Sequence, residues 1–175
     1  MLAHPISPAE AFNARSLREN WSAVCDEKLV FDSPKLAQLR DIWFSVCGER
    51  EMPRREDFTA RNFGKHLRYL TFVERVEEGV ARRYRFRLFG SALARFIGDS
   101  TGKFLEEVIP GQFIESWLAT YDLVIATRKP HRFIARFRAE HLEHVNAETL
   151  IAPLAGAEGN PWGLMVSVIY SPYVP

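Results

Sequence analysis

Residues 82–108 read RRYRFRLFGSALARFIGDSTGKFLEEV, and the order of side chains in this stretch decides the fold. Tyr84, Phe86 and Leu88 alternate with Arg83, Arg85 and Arg87. A two-residue period gives a strand one buried face and one wet face. Gly90 ends the strand, and Ser91 is placed to cap a short helix whose apolar stripe is Leu93, Phe96 and Ile97. Gly98 stands where the helix exit favours a residue without a β-carbon, and Asp99 to Gly102 make a second turn. Strand, short helix and glycine turn in so short a run wrap over a sheet as a cup, not a flat layer.

Upstream, residues 67–76 (LRYLTFVERV) read as a strand, and the turn at residues 77–80 with Gly79 makes it an antiparallel neighbour of the first. Downstream, Pro110-Gly111 breaks the chain before a long helix running to about Lys129, with Phe113, Trp117, Tyr121 and Val124 as its stripe. Arg128 and Lys129 suit the negative end of its dipole, and Pro130 stops it. Three strand-like runs follow, at 131–138, 144–154 and 162–170, joined by short turns as in an antiparallel meander. Ahead of all this, a polar tail to about Pro8 precedes a helix over 10–21 with Phe12, Leu17 and Trp21. A clearer helix opens at Ser33-Pro34, carries Leu36, Leu39, Ile42, Trp43 and Val46 on one face, and ends at Gly48. That face needs a cover, either the outer face of the same sheet or a second copy of the protein. The order predicts an α+β fold: a five-stranded antiparallel sheet with helices on one face and an N-terminal helical extension. The extension spans residues 1–48 and the sheet domain residues 49–175.

The run RFRLFGSALARFIGDSTGKFLEEV resembles the second strand and following helices of a PAS domain, specifically the alphaproteobacterial PAS-like family of short single-domain proteins. Trp43 followed by MPRREDF at 52–58 resembles the tryptophan and the proline-arginine-aspartate box that precede the domain in that family, and LIAPLAG and GLMVSVIY resemble its last two strands. The likeness spans residues 43–170 and is strongest at 85–102; Ala60 departs from it, standing where a proline is expected after the box. The resemblance implies that the box joins the helical cap to the first strand, giving Arg55 and Asp57 structural work. It also implies that the Arg82 and His131 strands lie at opposite edges of the sheet, with Arg83, Arg85, Arg87, Arg132, Arg136 and Arg138 pointing outward. Charges on edge strands serve mainly to block edge-to-edge pairing.

A chain of 175 residues with 47% apolar and 26% charged residues reads as one globular domain able to bury a real core. Its 23 basic residues balance 22 acidic ones, so no overall field draws it to nucleic acid or an anionic membrane. No stretch is long and apolar enough to span a bilayer, and the first residues lack the pattern of an export signal; a cytoplasmic location is expected. Cys25 and Cys47 are too far apart for a CxxC pair and read as two reduced, partly buried thiols.

Recognisable catalytic motifs are missing: no GxSxG elbow, HExxH, Walker loop or GxGxxG between strand and helix. His141 and His144 in EHLEH sit three apart, which on a strand sends them to opposite faces, so a polar hairpin explains them better than a metal. The cysteine context of a flavin-binding photoactive PAS domain is absent, His131 is a nominal haem ligand only, and the cofactor stays unassigned. What is left is the cup between long helix and sheet, with Phe96, Trp117, Tyr121, Phe133, Ala135 and Phe137 as its lining. Such a set is either a plain packed core or the wall of a site for a small apolar or aromatic ligand, oriented by tyrosine or tryptophan polar atoms. The expected function is a non-catalytic sensor or signalling adaptor that binds a small molecule or a protein partner and is homodimeric through its N-terminal helices. The alternative is a small enzyme on a cone-shaped α+β fold using the same cup.

Overall fold

The computed structural model describes residues 6–78, 81–139 and 142–172, without the side chains of 60, 78, 81, 96–97, 137–139, 142–144 and 172. It opens with α1 (Pro8–Arg18), started by a reciprocal cap: the Ser7 hydroxyl accepts from the Glu10 amide at 3.1 Å, and the Glu10 carboxylate accepts from the Ser7 amide at 2.7 Å. Phe12 points inward from this helix, whereas Leu17 stays outside. The next four residues form a strand that sequence reasoning missed. This strand, β1 (Ala23–Asp26), pairs antiparallel with β4 (His131–Ala139), Cys25 lying opposite Phe133 and Asp26 opposite Arg132. Its outer edge is closed by α1. The Asn13 amide donates to the Cys25 carbonyl at 2.9 Å and accepts from the Cys25 amide at 2.7 Å, doing the work of one more strand, while the Ser16 hydroxyl donates to the Ala23 carbonyl.

Helix α2 (Pro34–Cys47) ends at Gly48, whose φ of +60° favours glycine. Leu36, Leu39, Trp43 and Cys47 are buried, and the Trp43 indole donates to the Pro153 carbonyl at 3.1 Å. Ser33 takes the cap position without using its hydroxyl; the Glu148 carboxylate instead receives the amides of Asp32 and Ser33 at 2.9 and 2.8 Å. The box at 52–58 is the structural lock its charges imply. Asp57 receives the Arg54 amide at 2.7 Å and an ion pair from Arg50 at 2.8 Å, and the Arg55 guanidinium lies over the Phe72 ring, 4.3 Å from its centre. A short helix α3 (Ala60–Phe63) and a 3-10 segment (Gly64–Tyr69) follow, so the strand expected from residue 67 begins later, as β2 (Thr71–Glu78).

Strand β3 (Ala81–Leu88) leads into α4 (Ser91–Ile97), where Gly90 is the cap and Ser91 already lies in the first turn. Glycine is required at residue 90 because a β-carbon there would stand 2.6 Å from the carbonyl oxygens of Arg68 and Leu70. After α5 (Leu105–Val108) comes α6 (Gly111–Thr127), then β4, β5 (Leu142–Ala155) and β6 (Pro161–Pro172). The sheet order is β1-β4-β5-β6-β2-β3, with every pairing antiparallel.

The expected architecture needs three corrections. The sheet has six strands, not five, because β1 joins it. That same strand means β4 is not an edge: only β3 ends the sheet on one side, and β1 ends it on the other. Helices also cover both faces rather than one. Alternate residues of β5 and β6 go to opposite cores: Ile151, Leu164 and Val166 meet Phe12, Tyr121 and Val124, whereas Leu150, Leu154 and Met165 meet Leu36, Leu39 and Trp43. Residues 1–48, read as a purely helical extension, thus supply a strand as well as helices, and α2 spends its apolar stripe on this sheet.

The outward arginines are also less free than expected. Arg85 is bound to Glu74 at 2.7 Å, and Arg83 pairs with Glu106. Arg132 is buried, its guanidinium reaching Asp26 and Asp32 at 2.9 Å and Glu148 at 2.7 Å, because β1 and the chain leading to α2 close over it.

Candidate ligand-binding recess

Strand register builds the floor of the candidate site. Ala23 faces Ala135, Ala135 faces Ala147, and Ala147 faces Tyr170, so three alanines stand in a row across β1, β4 and β5 on the face covered by α1 and α6. The neighbouring row on the same face is Cys25, Phe133, Thr149 and Val168, with larger side chains. The side chains of the alanine row are smaller than those of the row beside it. Ala135 stays partly open even though it has a strand on either side.

The cover is aromatic and comes in two stacks. Phe12 meets Phe133 edge-on at 5.5 Å and Trp21 at 6.0 Å, over the β1 side. Trp117 meets Tyr121 at 5.6 Å, and Tyr121 meets Tyr84 at 5.0 Å, toward β3. Apart from the Phe12–Trp21 contact, which is tilted at 45°, these are edge-to-face geometries that aromatic quadrupoles favour. Of the six residues predicted to line the cup, Tyr121 and Phe133 are buried, Trp117 and Ala135 are half-buried, and the side chains of Phe96 and Phe137 lie outside the described residues. Tyr121 and Phe133 belong to different stacks, and the alanine row leads from one toward the other. Sequence reasoning missed Phe12, Ala23, Ala147 and Tyr170. The period-two pattern Val145, Ala147, Thr149 held the signal for one of them. Along the outer edge, a shallow groove is lined by Asn13, Ser16, Leu17, Trp21, Ser22, Ala23, Val24 and Arg136.

Beside the recess, three polar groups form a chain. The Thr127 hydroxyl donates to the Leu123 carbonyl at 2.9 Å, so its oxygen accepts from His131 Nε2 at 2.8 Å. That assignment leaves Nδ1 as an acceptor, which receives the Cys25 thiol at 3.6 Å. Burial, helped by Glu27 and Asp26, pushes the thiol up to about 12, and burial pulls His131 below its usual range. The pair is therefore neutral, a hydrogen-bond relay joining β1, β4 and α6 rather than an activated nucleophile. No carboxylate bonds to His131 among the described residues, and they hold no cluster of three metal-ligating side chains; His141 and the His144 side chain lie outside them.

This relay fixes a sign for pH dependence. The His131 pKa is lower folded than unfolded, so the unfolded chain binds more protons in acid. Stability from this group is fully present above about pH 6.5, the free imidazole value, and falls as pH drops toward the folded pKa. His66 is also lowered and adds a slope of its own. The urea midpoint of the wild type is therefore expected to fall more between pH 7.5 and pH 5 than that of His131→Gln. Parallel curves for the two proteins would contradict the assignment.

Comparison with known proteins bears on the same elements. A family model for the PAS domain matches residues 31–167. The chain belongs to the PAS domain family. No curated protein and no solved structure matches it. In this PAS domain the matched span begins just before α2 and ends within β6, so α1 and β1, which cover and floor one end of the recess, precede it. A sensory or signalling module is the general role the family supports. No helix among the described residues is long and apolar enough to cross a membrane.

Proposed function

We propose that this PAS domain is a non-catalytic sensor or signalling adaptor, and that its signal is occupancy of the alanine-floored recess by a small apolar or aromatic molecule. The observation that supports the reading is the row Ala23, Ala135, Ala147, whose small side chains lie in register on the face that carries the aromatic cover, where bulkier strand residues would take up more of the space. Trp117, Tyr121, Phe133 and Ala135 are the assigned contacts, and Phe96 and Phe137 join them by position in α4 and β4. The reading includes the closer likeness to short alphaproteobacterial members of the family.

Occupancy is linked to output through the N-terminal segment. Phe12 and Ala23 belong to both the recess and that segment, so a molecule that binds one arrangement of α1 and β1 better shifts the population toward it. Exposed apolar side chains there, Leu17 at 84%, Val30 at 63% and Val24 at 52%, support its use in self-association or in contact with a signalling partner.

Ala135→Leu tests the site. Its added carbons enter the recess, so a calorimetric screen of small aromatic compounds is expected to find binders of the wild type that this variant fails to bind. The fold should lose about 1–3 kcal/mol through overpacking. Equal binding by both proteins places the ligand elsewhere, and consumption of a compound favours the enzyme reading.

A further inference from the structure

Residues 58–73, FTARNFGKHLRYLTFV, hold Arg61, Lys65, His66 and Arg68 but no aspartate or glutamate. The acids that bound this run are already taken, Asp57 by Arg50 at 2.8 Å and Glu74 by Arg85 at 2.7 Å. In the 3-10 segment, Lys65 and Arg68 are three apart, which in this helix type puts them on one face, and both are exposed. Two further exposed cations are brought in by neighbouring elements. The Lys35 ammonium of α2 lies 4.3 Å from the centre of the Tyr69 ring and donates to the Tyr69 oxygen at 3.2 Å, and the Arg68 guanidinium lies 5.3 Å from the same ring. Helix α4, which carries Arg95, packs against the 3-10 segment. Lys35, Lys65, Arg68 and Arg95 join no ion pair among the described residues. Lys35 also stands in the first turn of α2, where a cation opposes the helix dipole and no acid offsets it, so helix stability does not explain it. The Lys35 hydrogen bond, with Arg68 and Arg95 adding their charge, holds the Tyr69 phenol below its usual value, as a positive surface should.

We propose that the surface formed by Lys35, Lys65, Arg68 and Arg95 around Tyr69 is a docking site for an acidic segment of a partner protein, whose carboxylates pair with the four cations. Charge complementarity selects this occupant. The site is separate from the recess and stands whether or not the recess holds a ligand. A second copy presenting the same face would set cation against cation. Nucleic acid draws on a broad basic field, and a chain of net charge +1 supplies only this local surplus. A membrane surface calls for apolar side chains beside the cations. The exposed large apolar residues lie on other elements, apart from Phe44 at the far end of α2.

Fluorescence anisotropy of a short labelled peptide of alternating glutamate and alanine, titrated with the full chain, tests the site. The wild type is expected to bind it at low salt and to release it as salt rises. Lys65→Glu/Arg68→Glu should weaken binding roughly tenfold, and the milder Lys65→Gln/Arg68→Gln roughly threefold, which keeps the test open if charge reversal disturbs the fold. Lys28→Glu/Lys129→Glu makes the same change in net charge at two exposed lysines elsewhere and should stay within about twofold of the wild type. Equal weakening by the two charge-reversed pairs would show that overall charge and not this surface attracts the peptide, and overturns the site. A wild type that fails to bind at low salt overturns it as well. Tighter binding of a single-stranded DNA oligonucleotide of equal charge, or of phosphatidylserine vesicles, with the same loss in Lys65→Glu/Arg68→Glu, overturns the acidic protein segment as the occupant.

Discussion

A chain lacking residues 1–48 is expected not to fold. A division into an extension at residues 1–48 and a sheet domain at residues 49–175 would instead leave the sheet domain able to stand alone. Packing decides against that. Helix α2 is the cover for Leu150, Leu154, Met165 and Phe72, each 0% exposed, and it contributes Leu36, Leu39 and Trp43 to the same core. Returning a large apolar side chain to water costs about 1.5–3 kcal/mol. Four such sheet residues alone therefore approach the roughly 5–15 kcal/mol that holds a whole domain together. The deletion also strips β1 from β4 and leaves the β4 edge unpaired. The fragment 49–175 should show no cooperative melt and should aggregate; a soluble fragment with a sharp transition would contradict the account.

Arg132→Met is the single substitution expected to cost most, about 3–5 kcal/mol. The guanidinium is bound to Glu148, whose side chain is 13% exposed, and it also holds Asp26 on β1 and Asp32 ahead of α2. Asp32 is 92% exposed and adds little, as solvent-facing pairs do. The cost comes from Glu148 and Asp26, left close together with their cation gone. Two backbone amides still reach Glu148, which places the loss toward the lower end of the range. Lysine should rescue only part of it, since one ammonium cannot reproduce three directed contacts. Denaturant midpoints for Arg132→Met and Arg132→Lys check this, and a wild-type midpoint in Arg132→Met would show that the cluster ties nothing together. Acid gives a second reading. Asp26 is held below its usual pKa by the Lys28 amide and by Arg132, so its contribution is present above about pH 4 and is lost as pH falls through the folded value. Part of that acid-dependent loss should vanish in Arg132→Met.

The parts of this fold that rest on local pattern were legible in the sequence. Alternation in Tyr84, Phe86 and Leu88 marked β3, the Phe113, Trp117, Tyr121 and Val124 stripe marked α6, and Gly48 marked the end of α2. Strand β1 was not legible, because four residues are too few for a period and its strand character comes from pairing with β4 and from the Asn13 side chain. The same limit hid the burial of Arg132. Its alternation correctly put it on the face opposite Phe133, but the closing chain comes from far away in sequence. For the candidate site, Tyr121, Phe133 and Ala135 followed from their own elements. The alanine row did not, since it exists only in the register between strands, which no single strand encodes.

The central claim is that the recess holds a molecule, and native mass spectrometry of the full chain purified from its host tests it most directly. The account predicts that the wild type carries an added small-molecule mass that is released on denaturation, and that Ala135→Leu, purified in the same way, appears at the mass of the bare chain. A folded wild type that is bare, or the same added mass on both proteins, would contradict it.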